Sequence, residues 1–266
     1  GVSVPAPAEL LAVVEQSPAF AAAHDRSGWV NLFSDDGSVE DPVGSRRHTG
    51  HAAIGRFYDT FIGPRDIVFH RDLDIVAGST VLRSLTLQVG MGGGVTMEIP
   101  AYLRYVVVES TGEPKIAELQ AFWELPAMVW QFASNGIAAL GPGLRLTRAL
   151  LTNQNPVGAL GFAAGARRPG ARQRAALNTL TTALTRGDEL AVRRILGRGV
   201  AVNLGDDTAV SADGIGALLR GATWTKHIAA GRYIAVAVRT DTARGVLIAE
   251  FGAGAQVVGL RYFTPS

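Results

Sequence analysis

Between residues 8 and 33 the apolar positions recur at three- and four-residue intervals, the period of a helix. Leu10, Leu11, Val13 and Val14 mark a first stretch that starts near Pro7 and breaks near Ser17 and Pro18, while Phe20, Trp29, Val30 and Phe33 place one face on a second stretch over 19–33. Residues 34–50 are rich in turn formers, with a short strand at 38–41 between them. Ile54, Phe57, Tyr58 and Phe61 then return to helical spacing over 52–61. Beyond Pro64 the pattern changes. Residues 67–70, 73–77, 80–89, 95–108 and 116–124 alternate or run apolar and are separated by glycine-containing turns, which reads as a succession of strands. Helices first and antiparallel strands after them make an α+β unit, not a βαβ one.

The same order returns near the C-terminus. Helices are expected at 172–186 and 189–196, a short strand at 200–204, a helix at 213–219, and strands at 223–228, 233–240, 245–251 and 256–263. Two stretches with one grammar point to an internal duplication that has diverged heavily. Residues 127–170 between them are apolar and interrupted by Gly136, Gly141, Pro142, Gly143, Pro156 and Gly158. The expected division is therefore a first domain at 1–126, a helical linker at 127–170 and a second, degenerate domain at 171–266. At 266 residues the chain is long enough for two such cores.

Composition narrows the function classes. The chain has no cysteine, so thiol nucleophiles, cysteine metal sites and disulfides are excluded. The formal charge is only +2. A nucleic-acid-binding chain concentrates basic residues among aromatics, and the only local concentration here is Arg167, Arg168, Arg172 and Arg174, which reads as a solvated linker face. The glycines from Gly90 to Gly94 carry no lysine and no following helix, so they form a hairpin turn and not a phosphate loop. Five scattered histidines show no metal-ligand spacing, and neither a metal nor a cofactor is expected. No basic region followed by an apolar run opens the sequence, and a cytoplasmic location is the default expectation.

One segment carries chemistry. The run from Phe33 to Gly44 (FSDDGSVEDPVG), followed by Gly50 and by Ile54-Gly-Arg-Phe-Tyr58, resembles the ketosteroid isomerase (SnoaL-like) branch of the nuclear-transport-factor-2-like superfamily, and Gln120-Ala-Phe-Trp123 resembles the end of that family's last strand. The resemblance covers roughly residues 8–125. It implies a cone of curved antiparallel sheet wrapped around helices, here twice in tandem, enclosing an apolar cavity for a steroid-like ligand. It assigns Asp41 the role of general base, with Tyr58, Trp123, Phe33 and Phe57 as substrate-binding side chains. It also puts Ser17 and Ala101 where the family's two oxyanion donors stand, and neither can do that work. In the second half the base position falls at or near Leu204, with Asp206 and Asp207 just beyond in a solvated turn, so catalysis is not expected there.

The sequence thus supports a steroid Δ-isomerase-like protein that moves a proton next to a ketone. Its rival is a non-catalytic module that binds an apolar ligand or a partner chain, and a lyase or hydratase chemistry from the same carboxylate is a third reading. Tyr102 falls on the opposite strand face from Ala101, Leu103 and Tyr105, and is expected in packing or an interface. Ser17 is expected on a helix surface. The apolar residues of 127–165 read either as an interfacial helix touching a membrane or as a clamp buried between two cones, and the clamp is preferred. A fused pair of this kind is a pseudo-dimer within one chain that retains the option of self-association.

Overall fold

The structure, a computed structural model, describes residues 4–265. The chain is α+β and forms two tandem compact units, one comprising residues up to Asp74 with Ser79–Ala166, the other Ile75–Gly78 with Arg167 onward. Helix α1 (Pro7–Ala22) runs straight through Pro18, where a break was expected. An internal proline removes one backbone hydrogen bond and crowds the preceding turn, typically at about 3 kcal/mol. Here it lies on the buried face with Leu10, Val13, Val14, Ser17 and Ala21, so packing along that stripe holds the helix together. The chain turns instead at Ala23–Asp25, and Asp25 accepts the Gly28 N–H at 2.9 Å to cap α2 (Arg26–Asn31). Phe33 therefore begins strand β1 (Phe33–Glu40) and does not end a helix.

Helix α3 (His51–Phe57) continues into a π-helical turn at Tyr58–Ile62. Strands β2 (His48–Thr49), β3 (Asp66–Ala77), β4 (Thr80–Gly92), β5 (Val95–Ser110) and β6 (Glu113–Phe122) complete a six-stranded sheet in the order β2-β1-β6-β5-β4-β3. The two strands expected at 67–70 and 73–77 are one continuous strand, β3. All neighbours are antiparallel except β1 and β6, which run parallel, so the sheet is mixed where a purely antiparallel one was expected. The β4–β5 hairpin turns at Gly93 and Gly94, both at positive φ, a conformation that glycine adopts without strain.

Three further helices, α4 (Leu125–Ala133), α5 (Leu140–Ala149) and α6 (Asn155–Ala163), belong to the first unit. Strand β6 ends before it reaches the β4 end of β5, which leaves the Glu98 backbone open on that edge. Gln131 of α4 covers it, accepting the Glu98 N–H at 2.8 Å and donating to its carbonyl at 3.0 Å. Apolar side chains of this segment divide into two sets. Met128, Leu146 and Phe162 face a cavity. Trp130, Leu140, Leu144, Leu151, Val157 and Leu160 are exposed.

The second unit repeats the plan. Helices α7 (Ala171–Arg186), α8 (Glu189–Ile195) and α9 (Ala212–Leu219) accompany strands β7 (Ala201–Leu204), β8 (Thr208–Ala209), β9 (Thr223–Ala230), β10 (Tyr233–Arg239), β11 (Arg244–Phe251) and β12 (Val257–Phe263). Their order, β8-β7-β12-β11-β10-β9, matches that of the first sheet strand for strand, and β7 and β12 again form the one parallel pair. Leu180, Leu184, Ile215, Leu219, Val236, Leu247 and Leu260 fill its core.

One buried charge is structural. Arg83 is 2% exposed and donates to both oxygens of Asp74, at 2.8 and 3.1 Å, and to Glu15 at 2.7 Å. Removing one partner of such a group leaves the other desolvated and unpaired. Arg83→Ala is expected to lower unfolding stability by about 3–5 kcal/mol in a urea titration, and a loss under 1 kcal/mol would show that the pair is solvated.

Candidate functional site

The parallel pairing of β1 with β6 brings the C-terminal ends of both strands to the same end of the sheet. Glu40 stands opposite Gln120, so Asp41 and Trp123 follow immediately beyond the two strands. Strand alternation then separates neighbouring carboxylates. Glu40 takes the hydrogen bond from the Gln120 side-chain amide at 2.8 Å, whereas Asp41 takes the Trp123 indole N–H at 2.5 Å. The Asp41–Pro42 peptide is cis, and the Val43 N–H closes onto the Ala121 carbonyl at 2.8 Å.

Asp41 lies on the wall of a cavity, about 640 Å³ including its solvent-open mouth, that is otherwise almost wholly apolar. Cross-strand pairs from β4 and β5, Leu87 with Ile99 and Val89 with Met97, form one side of it. Phe57, Phe61 and Ile62 close another, and Met128, Leu146 and Phe162 reach in from the helices after β6. Burial pushes the Asp41 carboxyl up to about 6, and the Trp123 N–H, which favours the ionised form, opposes that rise. Asp41 is therefore mostly ionised at neutral pH yet more basic than a solvated aspartate.

Of the five side chains expected at the site, Asp41, Phe57 and Trp123 line the cavity. Phe33 and Tyr58 do not. They stand behind it against Trp29, with ring centroids at 5.0 and 5.8 Å, and Phe57 joins this cluster to the cavity. The Tyr58 hydroxyl is buried without a hydrogen-bond partner among the described residues. Burial raises its pKa, and the charges it senses are Asp25, Asp59 and Arg26 rather than Asp41.

Ser17 is buried, not on a helix surface as expected. It accepts the Trp29 indole N–H at 3.2 Å and hydrogen-bonds the buried Tyr105 hydroxyl. Tyr105 is the tyrosine whose titration feels Asp41, but neither it nor Ala101 is among the cavity's lining residues. Tyr102 is fully buried and sits across the sheet from Ser84 and Phe122.

Sequence reasoning missed Arg65. It precedes β3, lines the same cavity as Asp41, and donates from Nη1 to the Thr60 carbonyl at 2.6 Å. Among the described residues no carboxylate pairs with it. A single arginine after Pro64 carries no motif, so only the closure of β3 and β4 around the cavity reveals it.

His48 is partly buried against the Phe57 ring, at 5.1 Å, and burial together with Arg46 and Arg56 lowers its pKa to about 4. His51 hydrogen-bonds the Phe33 carbonyl at 2.8 Å, and His70 is an exposed partner of Gln88 at 2.9 Å. In the second unit another cavity is lined by Arg174, Leu177, Asn178, His227, Ala229 and Ile234, with no carboxylate among them. Asp206 is not solvated as expected. It is 12% exposed and bonded to Arg261 at 2.9 Å. No helix of the described residues is long and apolar enough to cross a membrane.

Residues 9–123 match the family model of the Nuclear transport factor 2 (NTF2) domain. Among solved structures, RV0760c from Mycobacterium tuberculosis, in complex with estradiol-17beta-hemisuccinate, is 27% identical, with 44% of this chain and 95% of that one covered and a TM-score of 0.41. The Delta 5-3-ketosteroid isomerase from Mycobacterium sp. is also 27% identical, over 45% of this chain and 96% of that one, at a TM-score of 0.41. A computationally designed 17-OHP binder is 25% identical, over 44% and 95%, again at 0.41.

Burial raises the Asp41 pKa, so the folded state binds the proton more tightly than the unfolded chain. Stability is then highest below the unfolded value near 3.8 and falls as the pH rises to about 6. Asp41→Asn removes the charge and keeps an acceptor for Trp123. It is expected to be more stable than wild type at pH 8, by up to about 3 kcal/mol, and equal to it near pH 4. Matching denaturation midpoints at pH 8 would show that the carboxylate is solvated. Trp123→Phe deletes the donor and is expected to move the descending limb of that stability profile above pH 6, whereas a shift to lower pH would contradict the role given to the indole.

Proposed function

We propose, for a chain whose first unit belongs to the NTF2-like superfamily, that this unit binds a polycyclic ketone and that Asp41 moves a proton between two carbons beside its carbonyl. The observation that carries the reading is the Asp41 carboxylate, raised to about 6 and held by Trp123 in the wall of an apolar cavity. Pockets for small ligands combine apolar walls with a few placed polar groups. A base whose pKa lies near the working pH has both the required ionisation and the required affinity for the proton.

The steps follow from the side chains. Apolar walls bind the rings and exclude water. Asp41 Oδ takes the proton α to the carbonyl, the C–H pair becomes the new C=C bond, and the carbonyl π pair moves onto oxygen to give a dienolate. The carboxylic acid then returns the proton at the γ carbon. Trp123 fixes the carboxylate through one oxygen, leaving the other for the substrate. Phe57 and Phe61 shape the floor.

A binding protein without turnover is the second reading, and a specific observation favours it: Ser17 is committed to Trp29 and Tyr105, and Ala101 has no donor. The loss of one oxyanion donor typically lowers rates about a hundred- to a thousandfold.

Thermal-shift titration of wild type and Asp41→Asn with a Δ5-3-ketosteroid, followed alongside by the absorbance of the conjugated product, separates the two. The isomerase reading expects saturable stabilisation of both proteins, and turnover that falls at least a hundredfold in Asp41→Asn. Stabilisation without turnover makes the unit a carrier. Turnover that survives Asp41→Asn rules out this carboxylate as the base.

A further inference from the structure

The cavity has polar groups of opposite charge. Asp41 supplies the negative one, and Arg65 is its only cationic lining residue among the described residues. Among the described residues the sole hydrogen-bond partner of Arg65 is the Thr60 carbonyl, engaged by Nη1 at 2.6 Å. That carbonyl lies in the π-helical turn, where the helix leaves an acceptor for it. The bond tethers the guanidinium while a planar group with five N–H donors keeps capacity to spare. Burial lowers the Arg65 pKa, yet an arginine remains charged. A cation held without a counter-ion against an apolar cavity is an unfinished ion pair.

Other donors do not reach the same space. The Trp123 indole is spent on Asp41, the Ser17 hydroxyl lies behind the cavity with Tyr105 and Trp29, and Tyr58 packs on Trp29 at 5.8 Å and is not among the lining residues. Negative charge that develops on a ligand oxygen inside the cavity therefore meets Arg65 or no protein cation.

We infer that Arg65 is the anion-stabilising group of this cavity, pairing with the negative oxygen of an enolate or phenolate and standing in for the donors absent at positions 17 and 101. The inference deepens the proposed function and rests on it for the enolate. When Asp41 removes the α proton, the electron pair ends on the carbonyl oxygen, and the Arg65 N–H groups receive that charge. A guanidinium does so without titrating, so its contribution is constant across the working pH range of Asp41. The substrate class follows: flat, apolar, and bearing one oxygen that becomes anionic.

The test uses the full-length protein with equilenin, a phenol whose phenolate absorbs separately, and with its methyl ether as a neutral control. Wild type is expected to bind equilenin with enhanced phenolate absorbance and a lowered apparent pKa of the bound phenol. In Arg65→Gln, phenolate affinity is expected to fall at least tenfold, the bound phenol to titrate higher, and methyl ether affinity to stay within twofold. Arg65→Lys keeps the charge and should recover part of the phenolate signal. Should Arg65→Gln unfold, the same comparison is made with Arg65→Lys, whose phenolate signal must fall relative to the methyl ether. Equal losses for both ligands, or no loss for either, overturn the inference. Absent ketosteroid turnover in wild type with Arg65-dependent phenolate binding sinks the isomerase reading and leaves Arg65 in place. Wild-type turnover that Arg65→Gln retains in full sinks the role of Arg65 alone.

Discussion

The desolvated carboxylate of Asp41 constrains the first unit more than any other group. A carboxylate in an apolar cavity is unfavourable unless something holds it, and a single indole N–H does so here. That contact exists because β1 and β6 are the one parallel pair in an otherwise antiparallel sheet. Parallel strands end at the same edge, and Asp41 and Trp123 are the first residues beyond those ends. An antiparallel pairing would have sent them to opposite edges of the sheet.

Around this contact the unit separates its packing roles by strand face. Met97 and Ile99 of β5 face the cavity, whereas Arg104, on the other set of positions, meets Gln120 at 3.0 Å in a polar network with Glu40. Phe57 belongs to two clusters at once. It stacks near Trp29 in the helical core and contacts Phe61, which continues to Phe162. The helices after β6 are thereby tied to the cavity, and a change in their position alters its volume and its access to water. The exposed side chains from Trp130 to Leu160 on the same helices remain an apolar surface of the protein.

The two units have one strand order and different chemistry. Each has a single parallel pair among the described residues, yet the residue that follows β7 is Gly205 where Asp41 follows β1, and the nearby Asp206 is bonded to Arg261 at 2.9 Å. The shared topology follows from the order of helices and strands. The side chains at the strand ends are not fixed by that order, so they differ between the units while the sheet persists.

Much of this was legible in the chain. The change from helical to strand periodicity set the α+β class, and its return after residue 171 showed the duplication, because burying one face of each element imposes those periods on any sequence. The FSDDGSVEDPVG run located Asp41, and the residues around Trp123 located its partner. Periodicity says which face of an element is buried, but not what lies opposite. Only the folded sheet could show that Phe33 and Tyr58 stand behind Trp29, that Ser17 is committed to Tyr105, and that α1 survives Pro18, since each depends on contacts between residues far apart in sequence. Arg65 is the clearest case. Alone after a proline it has no pattern, and its meaning comes from the distant strands and helices that close an apolar cavity around it and, among the described residues, bring it no counter-ion.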